Sequence, residues 1–174
     1  MLLNLTDILS SEEKTVQKQI SYEADVFESG LESFPIIKKT PLDLTMKVIE
    51  KGKVLLTGAM KLTFQMNCDR CLKDVSYDLD LNFEESISKE EIEADTEDKE
   101  EQSFLEGYHL DTEKLIHNEI LMNLPMKVLC REDCKGICKQ CGKDLNLGEC
   151  GCDDFVPDPR MAMIKDIFNG NKEV

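Results

Sequence analysis

The sequence predicts an α+β fold: an antiparallel β-sheet meander, a helix packed against it, and a cysteine-rich C-terminal segment. Three observations carry this. Apolar residues alternate with polar ones through Leu42–Val48, Val54–Met66 and Val75–Phe83. A stripe at helical spacing, Leu115, Ile116, Ile120 and Leu124, follows later. Six of the eight cysteines then fall within the 23 residues 130–152.

The elements can be justified in order. Val16, Ile20, Tyr22, Ala24 and Val26 share a parity, which predicts a half-buried strand over 16–26. Residues 27–40 contain Gly30 and Pro35 among mixed polar residues and read as a connection. Leu42, Leu44, Met46 and Val48 form the first sharp alternation, and Glu50-Lys51-Gly52-Lys53 has turn chemistry. Val54 to Met66 continues on one parity with Gly58 inside it, a sign of a bulge or of a close backbone approach. Val75, Tyr77, Leu79, Leu81 and Phe83 complete a meander with one buried face. Cys68 and Cys71 lie at its second reversal, where a hairpin tip holds two sulfurs side by side.

Residues 84–106 carry eleven acidic residues against two lysines and have no sustained apolar period. They read as a flexible acidic loop, with a phosphate mimic as the rarer alternative. Asp111 or Thr112 caps the helix that Pro125 stops. His117, on this helix, reads as a surface or satisfied core histidine. The segment 126–156 has too few large apolar residues to form a core without metal. A last short helix begins at Asp158-Pro159, presents Met161, Ile164 and Phe168, and stops at Asn169-Gly170. The whole reads as one domain over 1–174.

The cysteines set the chemistry. Cys68-Asp-Arg-Cys71 and Cys138-Lys-Gln-Cys141-Gly142 have the form of zinc knuckles, in which a two-residue spacer lets both sulfurs face one ion. A Gly after the pair can take φ > 0, turning backbone amides towards the thiolates. Cys68, Cys71, Cys130, Cys134, Cys138, Cys141, Cys150 and Cys152 are two sets of four, so two Zn²⁺ ions are expected. An iron–sulfur cluster, redox-active thiols and buried thiols are the alternatives. Disulfides need an oxidising compartment. The N-terminus lacks the basic start and apolar run of a signal peptide, and no stretch approaches a membrane span. A cytoplasmic, reducing location is expected.

No phosphate-binding Gly-rich loop, His-Glu-x-x-His or Gly-x-Ser-x-Gly is present, and an all-cysteine zinc site has no open position for a reacting water. The sequence therefore predicts a protein without enzymatic activity. Its net charge of −15 excludes non-specific nucleic-acid binding over a broad basic surface. The basic residues gather at the cysteines: Arg70, Lys127, Arg131, Lys135, Lys139, Lys143 and Arg160. They either meet phosphate or offset the −2 formal charge of a Cys₄ zinc centre.

These motifs, in this order, resemble those of the YceD family of large ribosomal RNA subunit accumulation proteins. The matching residues are Cys68-Asp-Arg-Cys71-Leu72 after a strand, the helix end Leu124-Pro125, and Cys134-Lys-Gly-Ile-Cys138-Lys-Gln-Cys141-Gly142. Leu145-Asn146, Cys150-Gly-Cys152 and Asp158-Pro159-Arg160 follow. The resemblance spans nearly the whole chain. It implies a role in accumulation of 23S rRNA precursor and in large-subunit biogenesis, with rRNA or a precursor subunit as partner. Arg70, Arg131, Lys135, Lys139, Lys143 and Arg160 would meet RNA or that partner. Some relatives keep the first cysteine pair and lack the later cluster. This implies Cys68, Cys71, Cys130 and Cys134 for one ion, and Cys138, Cys141, Cys150 and Cys152 for the other. Two other function classes stay open: a protein–protein adaptor whose acidic loop docks a basic partner such as a ribosomal protein, and a thiol redox switch that releases zinc on oxidation.

Overall fold

The computed structural model describes residues 1–11, 14–93 and 104–152. In chain order the elements are β1 (Leu2–Asn4), α1 (Thr6–Leu9), β2 (Thr15–Ile20), β3 (Val26–Glu28), β4 (Ser33–Lys39) and β5 (Leu42–Glu50). Then come β6 (Lys53–Asn67), β7 (Asp74–Ser88), α2 (Lys89–Glu93), β8 (Leu105–Glu106), β9 (His109–Asp111) and α3 (Thr112–Asn123). The chain forms two compact units, Met1–Cys130 and Arg131–Val174.

In the first unit, β6 organises a six-stranded antiparallel sheet. On one side β7 pairs along its whole length, from Lys53↔Ser88 to Asn67↔Asp74. The other side is shared. β5 pairs with the first half, through Asp43↔Ala59, and β4 with the second, through Ile36↔Phe64. β2 lies outside β5, and β3 outside β4. A small second sheet runs β1-β9-β8.

The period-2 pattern determines the core. Leu42, Leu44, Met46 and Val48 of β5 are buried, as are Val54, Leu56, Met60, Leu62, Phe64 and Met66 of β6. Leu79, Leu81 and Ile87 of β7 join them. Burying each such side chain contributes roughly 1.5–3 kcal/mol relative to leaving it exposed. From α3, Leu115, Ile116 and Ile120 are fully buried in the same core. Asp111 caps α3 by accepting from the Glu113 and Lys114 amides at 3.0 and 3.4 Å. Leu124, restricted by the following Pro125, is extended and ends the helix.

An α+β architecture dominated by antiparallel sheet is therefore present, with three differences from the sequence reading. The strand expected over 16–26 is two pieces, β2 and the start of β3. The connection expected over 27–40 contains β3 and β4. In β4 only Phe34 and Ile36 are even partly buried, so alternation there is weak. The acidic stretch expected as a loop over 84–106 is regular at its described ends, with α2 at Lys89–Glu93 and β8 at Leu105–Glu106. β7 continues to Ser88 because β6 is long enough to pair with it, and Ile87 is buried opposite Val54. Residues 94–103 of that stretch, the helix expected from Asp158, and Arg160 lie outside the described residues.

Gly58 marks a close approach. Its cross-strand partner is Phe83, and the β6–β7 register runs unbroken through the pair. A Cβ at Gly58 would overlap Cζ and Cε1 of the Phe83 ring. Among the described residues no helix is long and apolar enough to cross a membrane.

Candidate metal centre

The β6–β7 hairpin supplies the first pair of sulfurs. Asn67 and Asp74 close the ladder, and residues 68–73 turn between them. Leu72 donates to the Cys68 carbonyl at 2.9 Å, and Cys68 donates to that of Lys73 at 2.8 Å. The chain returns here after α3. Asp69 donates its amide to the Val128 carbonyl at 2.9 Å. Its carboxylate accepts the Val128 amide at 2.6 Å. This clamp places Cys130, whose sulfur is 3.5 Å from that of Cys71. Cys134 follows one short turn along the chain. The sulfurs of Cys68, Cys71, Cys130 and Cys134 all lie within 4.8 Å of one another.

The second unit repeats the knuckle. Gly142 donates to the Cys138 carbonyl at 2.9 Å, and Cys138 donates to that of Lys143 at 2.8 Å. Ile137 and Asp144 bridge across its base. The sulfurs of Cys138, Cys141, Cys150 and Cys152 form the second group within 4.8 Å. Both knuckles need a left-handed residue after the second cysteine. Gly142 supplies it at φ +72°, whereas the first knuckle uses Leu72 at φ +60°. For a residue with a Cβ this conformation costs roughly 1–2 kcal/mol.

The electrostatics of the two knuckles correspond. Burial acts to raise the Cys68 thiol, but the amides of Cys130, Arg70 and Cys71 point at its sulfur and bring it from 9.0 to about 6. The amides of Cys141 and Gln140, with a hydrogen bond from Cys150, lower Cys138 to about 6. Sulfur crowding has the opposite effect on Cys152: hydrogen bonds with Cys141 and Cys150, then burial, push it up to about 12. Four thiols this close cannot all lose their protons unless a cation compensates them. All eight cysteines are free thiols. A tetrahedral Zn²⁺ with bonds of ~2.3 Å sets sulfurs ~3.8 Å apart, and both groups fit that separation. Each can hold a metal ion, and they are the two sets that the sequence resemblance implies.

The basic residues divide by what they touch. Arg131 is 3.3 Å from the Asp133 carboxylate through Nε and donates through Nη2 to Asn146 Oδ1 at 2.7 Å. Lys143 donates to the Glu149 carbonyl at 2.9 Å. Arg70, Lys135 and Lys139 are exposed.

Two polar residues stood within the quoted motifs without an assigned role. Asp69, inside the first knuckle, makes the Val128 clamp. Asn146 accepts from the Lys135 amide at 2.8 Å and donates through Nδ2 to the Cys134 sulfur at 3.4 Å. It also donates to Asp144 Oδ1 at 2.7 Å. An Asp-x-Asn spacing beside a knuckle was the available signal for this turn.

The family model described as large ribosomal RNA subunit accumulation protein YceD matches residues 56–168. A Mycobacterium tuberculosis protein is 30% identical over 142 residues, covering 80% of this chain and 68% of its own, and a Mycobacterium bovis protein matches equally. The Arabidopsis thaliana large ribosomal RNA subunit accumulation protein YCED homolog 1, chloroplastic, is 26% identical over 141 residues, covering 65% of this chain and 44% of its own. No solved structure matches. With the family match covering more than half of its length, including both knuckles, this chain belongs to the YceD family of large ribosomal RNA subunit accumulation proteins.

Proposed function

We propose that this chain is a non-enzymatic factor in accumulation of 23S rRNA and biogenesis of the large ribosomal subunit. Each cysteine tetrad holds one zinc ion, and the zinc-organised segment binds rRNA or a precursor subunit. The observation that carries this is the pairing of two thiol tetrads with exposed Arg70, Lys135 and Lys139 beside them. Family membership supports the ribosomal context.

Zinc, when bound, supplies a structural cross-link and positive charge rather than a reaction centre. The chain's own groups do the rest. Knuckle amides stabilise thiolate charge, and Asn146 orients Cys134 through its hydrogen bond. Arg131 and Lys143 brace the segment through Asn146 and Glu149. Exposed Lys135, Lys139 and Arg70 are placed to approach phosphate, where charge contacts position RNA without reading its sequence. Arg160 joins this set by sequence position.

The test is crosslinking and sequencing of RNA bound to the purified protein, with metal measured on the same preparation. Enrichment of precursor 23S rRNA on zinc-loaded protein, with affinity falling steeply in salt, is the expected result. Co-purification with one protein and no RNA overturns direct RNA contact in favour of the adaptor reading.

A further inference from the structure

β3 ends the larger sheet. It pairs with β4 and, among the described residues, with no strand on its other side. An antiparallel ladder directs the backbone groups of alternate residues to opposite sides. Asp25 accepts from the Ile36 amide at 2.9 Å, and Ser29 donates to the Glu32 carbonyl at 2.9 Å. Residues 25, 27 and 29 therefore turn their backbone groups towards β4. Val26, whose partner Pro35 has no N–H to give, and Glu28 direct theirs outward.

That outward edge is one wall of a groove of about 840 Å³, and α3 is the other. Val26, Leu121 and Met122 give it apolar surface, being 46%, 46% and 83% exposed. Its rim carries the acidic Glu23 and Glu28, and Glu113, which is paired with the N-terminal ammonium at 3.1 Å. Lys114, which also lines it, is paired with Glu106 at 2.8 Å. The wall is held in shape. Lys39 donates to the carbonyls of Glu23 and Ala24 and to the Asp25 carboxylate. The His117 ring rests on Phe27 with centroids 4.7 Å apart.

We propose that this groove binds an extended, basic segment of a partner protein, which adds as a strand to the free edge of β3. Edge addition uses main-chain hydrogen bonds for affinity and side-chain contacts on alternate positions for specificity. Here the main chain offers only the groups of Val26 and Glu28, so side chains must contribute much of the binding. Apolar residues of the segment would meet Leu121 and Met122, and lysines or arginines would meet Glu23 and Glu28. A nucleic acid is the wrong occupant, because an acidic rim repels phosphate. The groove is built from residues 22–28 and 113–122 and includes no cysteine, so it can be tested apart from the zinc and RNA reading.

The probe is a fluorescein-labelled peptide, Lys-Val-Arg-Leu-Lys-Val-Arg, titrated into the full chain and followed by anisotropy. Its counterpart has every basic residue replaced by Glu. The basic peptide should bind, more weakly as salt rises, and the acidic one should not. Glu23→Lys with Glu28→Lys, both exposed, should cost about tenfold or more in affinity. Val26→Pro removes the outward donor without touching the ladder to β4 and should also weaken binding. In hydrogen exchange, the Val26 and Glu28 amides should exchange quickly in the free protein and slowly with peptide. Equal binding of the acidic peptide overturns the proposal, as does indifference of binding to both sets of substitutions. Slow exchange at Val26 and Glu28 in the free chain also overturns it, because the edge is then already covered by residues 153–174 or by a second copy.

Discussion

Asp69 and Val128 hold each other twice, amide to carbonyl at 2.9 Å and amide to carboxylate at 2.6 Å. This two-point clamp ties the hairpin that carries Cys68 and Cys71 to the strand of chain that delivers Cys130. Asp69→Ala leaves the Val128 amide without its charged acceptor and should cost about 1–2 kcal/mol. Asp69→Asn, which keeps an acceptor oxygen, should cost less. Thermal denaturation of the metal-loaded protein measures both, and equal loss from the two variants would show that the charge and not the hydrogen bond matters.

Purified without added metal, the protein should carry about two equivalents of zinc per chain. Cys141→Ser should remove one equivalent and expose residues 138–152 to proteolysis, leaving the sheet intact. Cys71→Ser should remove the other and loosen the contact between the hairpin tip and residues 128–130. Iron with visible absorbance, or loss of the same ion from both variants, refutes the assignment of the two tetrads.

Ile87 distinguishes a strand from a solvated loop. Buried at 2% exposure opposite Val54, it should cost about 2–5 kcal/mol when replaced by Ala. A loop residue at that position would cost almost nothing. Chemical denaturation resolves a difference of this size, and an unchanged midpoint would restore the loop reading.

These cases show what the sequence made legible. The three long strands could be read because one face of β5, β6 and β7 is buried and the other is wet, which imposes period 2 on composition. The cysteine sets could be read because ligand chemistry admits few residue types. β3 and β4 were illegible because a short edge hairpin buries too little to impose a pattern. The end of β7 was masked because Glu85 occupies an inward position between Phe83 and Ile87 and interrupts the apolar alternation. Asp69 and Asn146 act through hydrogen bonds to backbone and sulfur, which leave no periodic trace. The register that pairs Gly58 with Phe83 needs the fold to reveal it.

Glu119 should show a pH dependence of defined sign. Burial, and then the nearby charge of Glu85, raise its carboxyl above the ordinary 4.5. A raised pKa means the fold favours the protonated form, so its contribution to stability is present at low pH and lost as pH rises through the shifted value. Glu119→Gln should therefore raise the melting temperature at pH 7. The gain should fade as pH falls below 4.5, where the native carboxyl is also neutral. A gain independent of pH would point to packing rather than charge.

The basic residues should separate into two functions when substituted in pairs. Lys135→Glu with Lys139→Glu places negative charge on two exposed side chains with no ligand role. Affinity for precursor rRNA or precursor subunits should fall, and its salt dependence should flatten, because each lost phosphate contact releases fewer counterions. Zinc content should hold at its starting value. Arg131→Ala with Lys143→Ala removes instead the contacts to Asp133, Asn146 and the Glu149 carbonyl. That variant should release zinc more readily to a chelator, and its RNA affinity should recover when zinc is in excess. If the first pair lowers zinc affinity and leaves RNA binding unchanged at every salt concentration, the lysines serve only to balance thiolate charge. Direct phosphate contact is then removed, and the adaptor reading takes its place.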